Sequence, residues 1–196
     1  MPLFHQHKVL FIHIPKNAGR SIEEAFLGDA GTPDDGRRNL ASRAGTWLQR
    51  RFSSPFAKKF LIGTVDYSLA SQHLTYTEMQ HLRLVKDDIF AHYRSFCVCR
   101  NPFDRAVSTV LHFASADGVA APTNTSEFER LLTAWNERDK SDHNLIAHDR
   151  SQADYVLDSR GRMAVETILR FEHLEEDFEK FATSIGASDL KLTWFG

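Results

Sequence analysis

The chain has 196 residues, 42% of them hydrophobic and 26% charged, enough to bury the core of one globular domain spanning 1–196. A formal net charge of -2 and an isoelectric point near 6.5 leave no broad basic surface, which argues against duplex nucleic acid or an anionic membrane as the main partner. No apolar run approaches the roughly 18 residues of a membrane span, and the two cysteines suggest neither a disulfide nor a metal site, so a cytoplasmic protein is the expectation.

In chain order, Lys8 to Ile14 reads as a buried strand closed by Pro15, too short and interrupted for a signal peptide. Ser21 to Leu27 reads as a helix, with Ser21 and Glu24 at the spacing of a capping box. Residues 28 to 58 are rich in Gly, Asp, Arg and Ser and read as an excursion from the core, a candidate lid. Phe60 to Val65 is a second strand. Thr75 and Glu78 form another capping box, opening a helix towards Leu84 with His73 just ahead of it. Ser95 to Cys99 is a third strand, on which Cys97 and Cys99 point the same way. Asn101 and Pro102 supply a cap and a first-turn proline for the next helix. There Phe103, Ala106, Val107, Val110, Leu111 and Ala114 form a core-facing stripe, with Arg105 and Ser108 off it. Ser126 and Glu129 start a helix through Trp135. Val165 to Phe171 is a last strand, feeding an acidic helix from Leu174 to Ile185 that Gly186 ends. The alternation predicts an α/β fold with a mainly parallel sheet flanked by helices, and such sheets place ligands at the carboxyl ends of their strands.

Two strand-to-helix loops lie at such ends. The first, HIPKNAGRS over residues 13 to 21, brings Lys16, Asn17, Ala18, Gly19, Arg20 and Ser21 to a helix start. A mobile cation, a glycine admitting close approach, a hydroxyl and helix-start amides suit a phosphate or sulfate. Lys16 precedes Gly19 by three, whereas a Walker A lysine follows the last glycine, so a kinase using ATP and Mg²⁺ is the weaker reading. The plainer alternative gives Pro15 and Gly19 to a turn and Ser21 to a cap, leaving Lys16 without a role. The second loop, CRNPFDRAVS over residues 99 to 108, ends a strand with Arg100 and sets Ser108 two turns into a helix, where both can hold a second phosphate. The alternative pairs Arg100 with Asp104 or another carboxylate and leaves Ser108 to solvent.

These segments resemble the carbohydrate sulfotransferases that use 3′-phosphoadenosine-5′-phosphosulfate (PAPS). IHIPKNAGRS is similar to their 5′-phosphosulfate loop and CRNPFDRAVS to their 3′-phosphate element; HDRSQADYVLD and ILRFEHLEEDFEKF are similar to the later part of bacterial members. The resemblance implies a fold related to nucleotide kinases, PAPS as co-substrate, 3′-phosphoadenosine-5′-phosphate (PAP) as product, no metal, and a hydroxyl of a glycan or small molecule as acceptor. Carried over by position, Lys16 with Asn17, Ala18, Gly19, Arg20 and Ser21 would hold the 5′-phosphosulfate, and Arg100 and Ser108 the 3′-phosphate. Arg20 departs from the threonine more usual there, and the sequence stops at Trp194, Phe195 and Gly196 without the further helical segment usual after the acidic helix. Residues 28 to 58 match no part of the pattern.

His73, in ASQHLTYTEM, matches the histidine given the role of base in related heparan-type enzymes, and a group titrating near neutrality suits removal of an acceptor proton. Lys16 and His73 are thus the candidate catalytic pair. His13 reads as a core histidine, and His112, His143, His148 and His173 lie on polar stretches. Arg150 to Tyr155 either faces acceptor or adenine, or forms a turn with Tyr155 in the core. A protein that binds PAPS or PAP without transfer is the remaining alternative.

Overall fold

The computed structural model describes residues 3–4, 6–27, 73–81, 87–139 and 143–193; the excursion expected over 28–58 and the strand expected over 60–65 lie outside them. Four strands form one sheet in chain order: β1 (Leu3–Phe4), β2 (Val9–Ile12), β3 (Arg94–Cys99) and β4 (Thr167–Arg170). β1 is antiparallel to β2, whereas β2, β3 and β4 are parallel, with Phe11 opposite Phe96 and Cys97 opposite Ile168. The described helices are α1 (Gly19–Leu27), α2 (Tyr76–His81), α3 (Asp87–His92), α4 (Pro102–Ala116), α5 (Thr125–Glu137), α6 (His143–Asp149), α7 (Gln152–Val156) and α8 (Leu174–Ser184). The mainly parallel α/β architecture is the one expected. No helix among the described residues is long and apolar enough to cross a membrane.

All four residues of β2 are buried, as a parallel strand covered on both faces requires. The two-residue period divides the core. Val9, Phe11, Phe96 and Val98 pack with Ile22 and Phe26 of α1 and Phe178 and Phe181 of α8. Leu10, Ile12 and Cys97 point the other way, towards Met79 of α2 and Tyr155 and Val156 of α7. Full burial of a side chain such as Phe11 or Phe96 contributes about 1.5–3 kcal/mol. A third apolar group joins α4 to α5, where the Phe113 and Trp135 rings stack at 4.8 Å.

Local signals set most boundaries. The Thr75 amide donates to Glu78 Oε2 at 2.9 Å and the Glu78 amide to Thr75 Oγ1 at 3.1 Å, the reciprocal box expected. Asn101 Oδ1 accepts from the amides of Phe103 and Asp104 ahead of Pro102, and Gly186 beyond α8 takes a φ of +73°.

Three expectations are corrected. α1 begins at Gly19, so Ser21 is buried within its first turn and is not the cap. α5 is capped by Asn124, two residues before the Ser126 box: Asn124 Oδ1 accepts from the Glu127 amide at 3.0 Å, and Glu127 accepts from the Thr123 amide at 2.7 Å. The buried face of α4 carries Arg105, Thr109, Val110, Phe113 and Ala114, while Phe103 is 80% and Val107 40% exposed. The stripe is rotated because the Arg105 guanidinium is buried among main-chain acceptors.

Candidate active site

β2 ends at Ile12, and its chain passes through residues 13–18 into α1, carrying the first loop across the carboxyl end of the sheet. Lys16 and Ala18 have φ values of +66° and +59°, and Asn17 between them does not share the left-handed conformation. Each such non-glycine residue costs about 1–3 kcal/mol, and the alternating hand turns successive amides towards one concave side, the geometry of an anion nest. The strain is held by buried bonds. Asn17, 1% exposed, donates through Nδ2 to Val98 O and to Gln152 Oε1, both at 2.7 Å. Its Oδ1 is buried with no hydrogen-bond partner among the described residues. Pro15 O accepts from Arg105 Nε at 3.0 Å.

Gly19 has a role the sequence does not suggest. A Cβ there would lie 1.8 Å from His13 Nε2, so the glycine admits the start of α1 against the imidazole ring. That ring is buried, stacks on Phe11 at 5.4 Å and sets Nδ1 3.0 Å from the buried Glu23 Oε1, which leaves it little room to retreat. Gly19→Ala is therefore expected to lower stability by about 1–3 kcal/mol, read as a shift in the denaturant midpoint, with the loss reduced in a His13→Ala background. A midpoint unchanged by Gly19→Ala would show that the ring moves aside freely.

The second loop meets the first. Arg100, just beyond β3, donates through Nη1 to Lys16 O at 3.3 Å and lies over the Phe171 ring, 4.2 Å from its centroid. Arg100 Nε is buried and has no hydrogen-bond partner among the described residues; no ion pair to Asp104 is formed, but the Asn101 amide and, less strongly, the Arg100 charge hold the exposed Glu172 carboxyl below its ordinary pKa. Burial, and after it the charge of Arg100, push the Lys16 ammonium below its ordinary pKa. Ser108 is half-buried on α4, three residues beyond Arg105 and so on the same side of the helix. Arg20 is exposed in the first turn of α1.

Arg105 fixes this arrangement from below. Its guanidinium donates to four main-chain oxygens: Pro15 at 3.0 Å, Arg150 at 2.7 Å, and Ala147 and His148 at 3.4 Å each. The first loop is thereby tied to the end of α6.

His73 lies against the same loop. Its Nδ1 is 3.3 Å from His13 O, and because a carbonyl only accepts, Nδ1 carries the proton and Nε2 presents a lone pair. Burial first, then the neighbouring His13 and His148, push the His73 pKa down to about 2, so the ring is neutral at working pH. Its ring meets His13 at 4.7 Å and His148 at 5.2 Å, edge on. His148 is buried rather than on a polar surface, and it stacks with His112 at 6.0 Å. Burial and the nearby Lys16 lower the pKa of His112. A row of four imidazoles thus runs from the first loop to α4.

Sequence reasoning missed Gln152. Its Oε1 accepts from Asn17 Nδ2 at 2.7 Å and from the Arg100 amide at 2.9 Å, and its Nε2 donates to Arg100 O at 2.7 Å. The one signal was its place in the RSQADY segment. Tyr155 of that segment is fully buried and donates to Ala147 O at 2.8 Å, which assigns it to the core.

A cavity of about 400 Å³, lined by Thr75, Glu78, Arg150, Ala153, Asp154 and Leu157 among others, takes no lining residue from either loop. Cys97 and Cys99 are free thiols with sulfurs 4.0 Å apart. Among the described residues no three His, Cys, Asp or Glu side chains are grouped to hold a metal ion.

The model of one family, described as the sulfotransferase family, matches residues 3–192. No curated protein and no solved structure matches the chain.

Proposed function

Because the chain belongs to the sulfotransferase family, we propose that it transfers a sulfuryl group from PAPS to a hydroxyl of a glycan or similar small acceptor. The observation that carries this reading is the convergence of Lys16 and Arg100. Two cations from separate loops stand close enough for the Arg100 charge to lower the Lys16 pKa, and the carboxylate on which the Arg100 charge acts, Glu172, is exposed and already accepts from the Asn101 amide at 2.6 Å. An anion between them relieves that repulsion, and the buried, unpartnered Arg100 Nε offers it a donor. A nucleotide with a phosphate group at each end of its ribose suits two cationic loops better than one with a single phosphate chain.

In this reading Lys16 and the loop from Asn17 to Ser21 bind the 5′-phosphosulfate, while Arg100 and Ser108 bind the 3′-phosphate. PAPS, when bound, supplies the sulfuryl group. The His13 carbonyl orients His73 through Nδ1, and His73 Nε2 takes the proton of the acceptor hydroxyl as that oxygen attacks sulfur. Lys16 and the nest amides stabilise charge growing on the departing phosphate oxygen. A donor anion near His73 also raises the pKa that burial and its histidine neighbours depress, strengthening the base in the complex in which it acts.

Calorimetric titration tests the donor site. PAP is expected to bind in the micromolar range, ATP with Mg²⁺ much more weakly, and Arg100→Ala to weaken PAP about tenfold or more. ATP binding as tight as PAP, or no binding of either, would overturn the donor assignment and favour a kinase or a scaffold.

A further inference from the structure

Gln152 belongs to neither loop yet touches both. Through one amide it meets Asn17, 135 residues away, and both main-chain groups of Arg100, 52 residues away. Reading the N–H and C=O of one residue together, as a neighbouring strand would, fixes the course of the main chain at Arg100. The shared Oε1 ties that segment to Asn17, whose neighbours carry the left-handed strain of the nest.

Gln152 is itself held on rigid supports. It opens α7 directly after the cap Ser151, whose Oγ accepts from the Ala153 amide at 3.2 Å. The preceding Arg150 is fixed at its carbonyl by Arg105 and at its guanidinium by a two-point pair with Glu78, at 2.7 and 2.6 Å.

We infer that Gln152 is a positioning residue that couples the 5′ and 3′ ends of the donor site, an inference that rests on the PAPS reading above. The phosphates of PAP are spaced by one ribose, so its affinity depends on how well the two loops are placed relative to each other. A ligand with one phosphate does not sense that spacing. Loosening the brace costs the bisphosphate selectively, whereas a general loss of structure costs all ligands together.

The experiment is calorimetry of PAP, 5′-AMP and 3′-AMP with the wild-type chain and with Gln152→Ala and Gln152→Met. PAP affinity should fall about tenfold in both variants, while each monophosphate changes less than about twofold and the melting temperature stays within a few degrees. PAP unaffected, or all three ligands weakened in parallel with a fall in melting temperature, overturns the role. In the wild-type chain, which needs no variant to fold, 5′-AMP alone should slow hydrogen exchange at the Arg100 amide, and unchanged exchange there also overturns it. Failure of the wild-type chain to bind PAP is read separately, before any variant, and overturns the donor assignment together with the coupling.

Discussion

Lys16→Ala is expected to slow sulfuryl transfer several hundredfold while leaving the fold in place. Alanine carries the same Cβ as lysine, so the left-handed conformation at this position becomes no more strained. What disappears is a half-buried ammonium, already pressed below its ordinary pKa by burial and by Arg100. Groups that stabilise charge developing on a leaving oxygen typically contribute about 3 kcal/mol to the barrier, a factor of hundreds in rate. PAP affinity should fall less than the rate, because removing Lys16 also removes its repulsion with Arg100. Single-turnover transfer from labelled PAPS, set beside PAP titration, reads the two effects apart. A rate within a few-fold of wild type would take Lys16 out of the mechanism.

His73→Ala should leave PAP binding within about threefold and reduce transfer at least a hundredfold, the low end of what a positioned general base contributes. Loss of binding and transfer together would mark His73 as structural. A pH readout separates these further. The unfolded ring titrates at 6.5 and the folded one only near 2, so below pH 6.5 the unfolded chain gains a proton that the folded chain refuses. Stability from this group is complete above pH 6.5 and declines as pH falls, by about 1.4 kcal/mol per unit. Between pH 6.5 and 5 the wild type should therefore lose about 2 kcal/mol more than His73→Ala. Equal acid sensitivity in the two would contradict the burial described for the ring.

Features written within a few residues are legible in the sequence. The Thr75 and Glu78 box, the Asn101 and Pro102 helix start, Gly186 beyond α8 and the period of two along β2 and β3 each depend on neighbours in the chain. Lys16 and Arg100 are legible as cations after strands. That they meet is not, because the bond joining them spans 84 residues. The face of α4 is misread for a related reason: an arginine counts as outward-facing until four carbonyls are found to satisfy it inside. The part played by Gly19 depends on where the His13 ring lies, and that of Gln152 on main-chain groups far along the chain. Neither leaves a spacing pattern in the residues.

The grip of Arg105 has a consequence for how such a chain can change. It takes hold only of main-chain oxygens, and every residue type supplies one. As far as this contact goes, substitutions at positions 15, 147, 148 and 150 leave the anchor whole. The gripping residue has no such latitude, since lysine lacks the planar fork that reaches several acceptors at once. The side chains at these four positions can thus change without loosening this anchor, while the loop that carries Lys16 keeps its place.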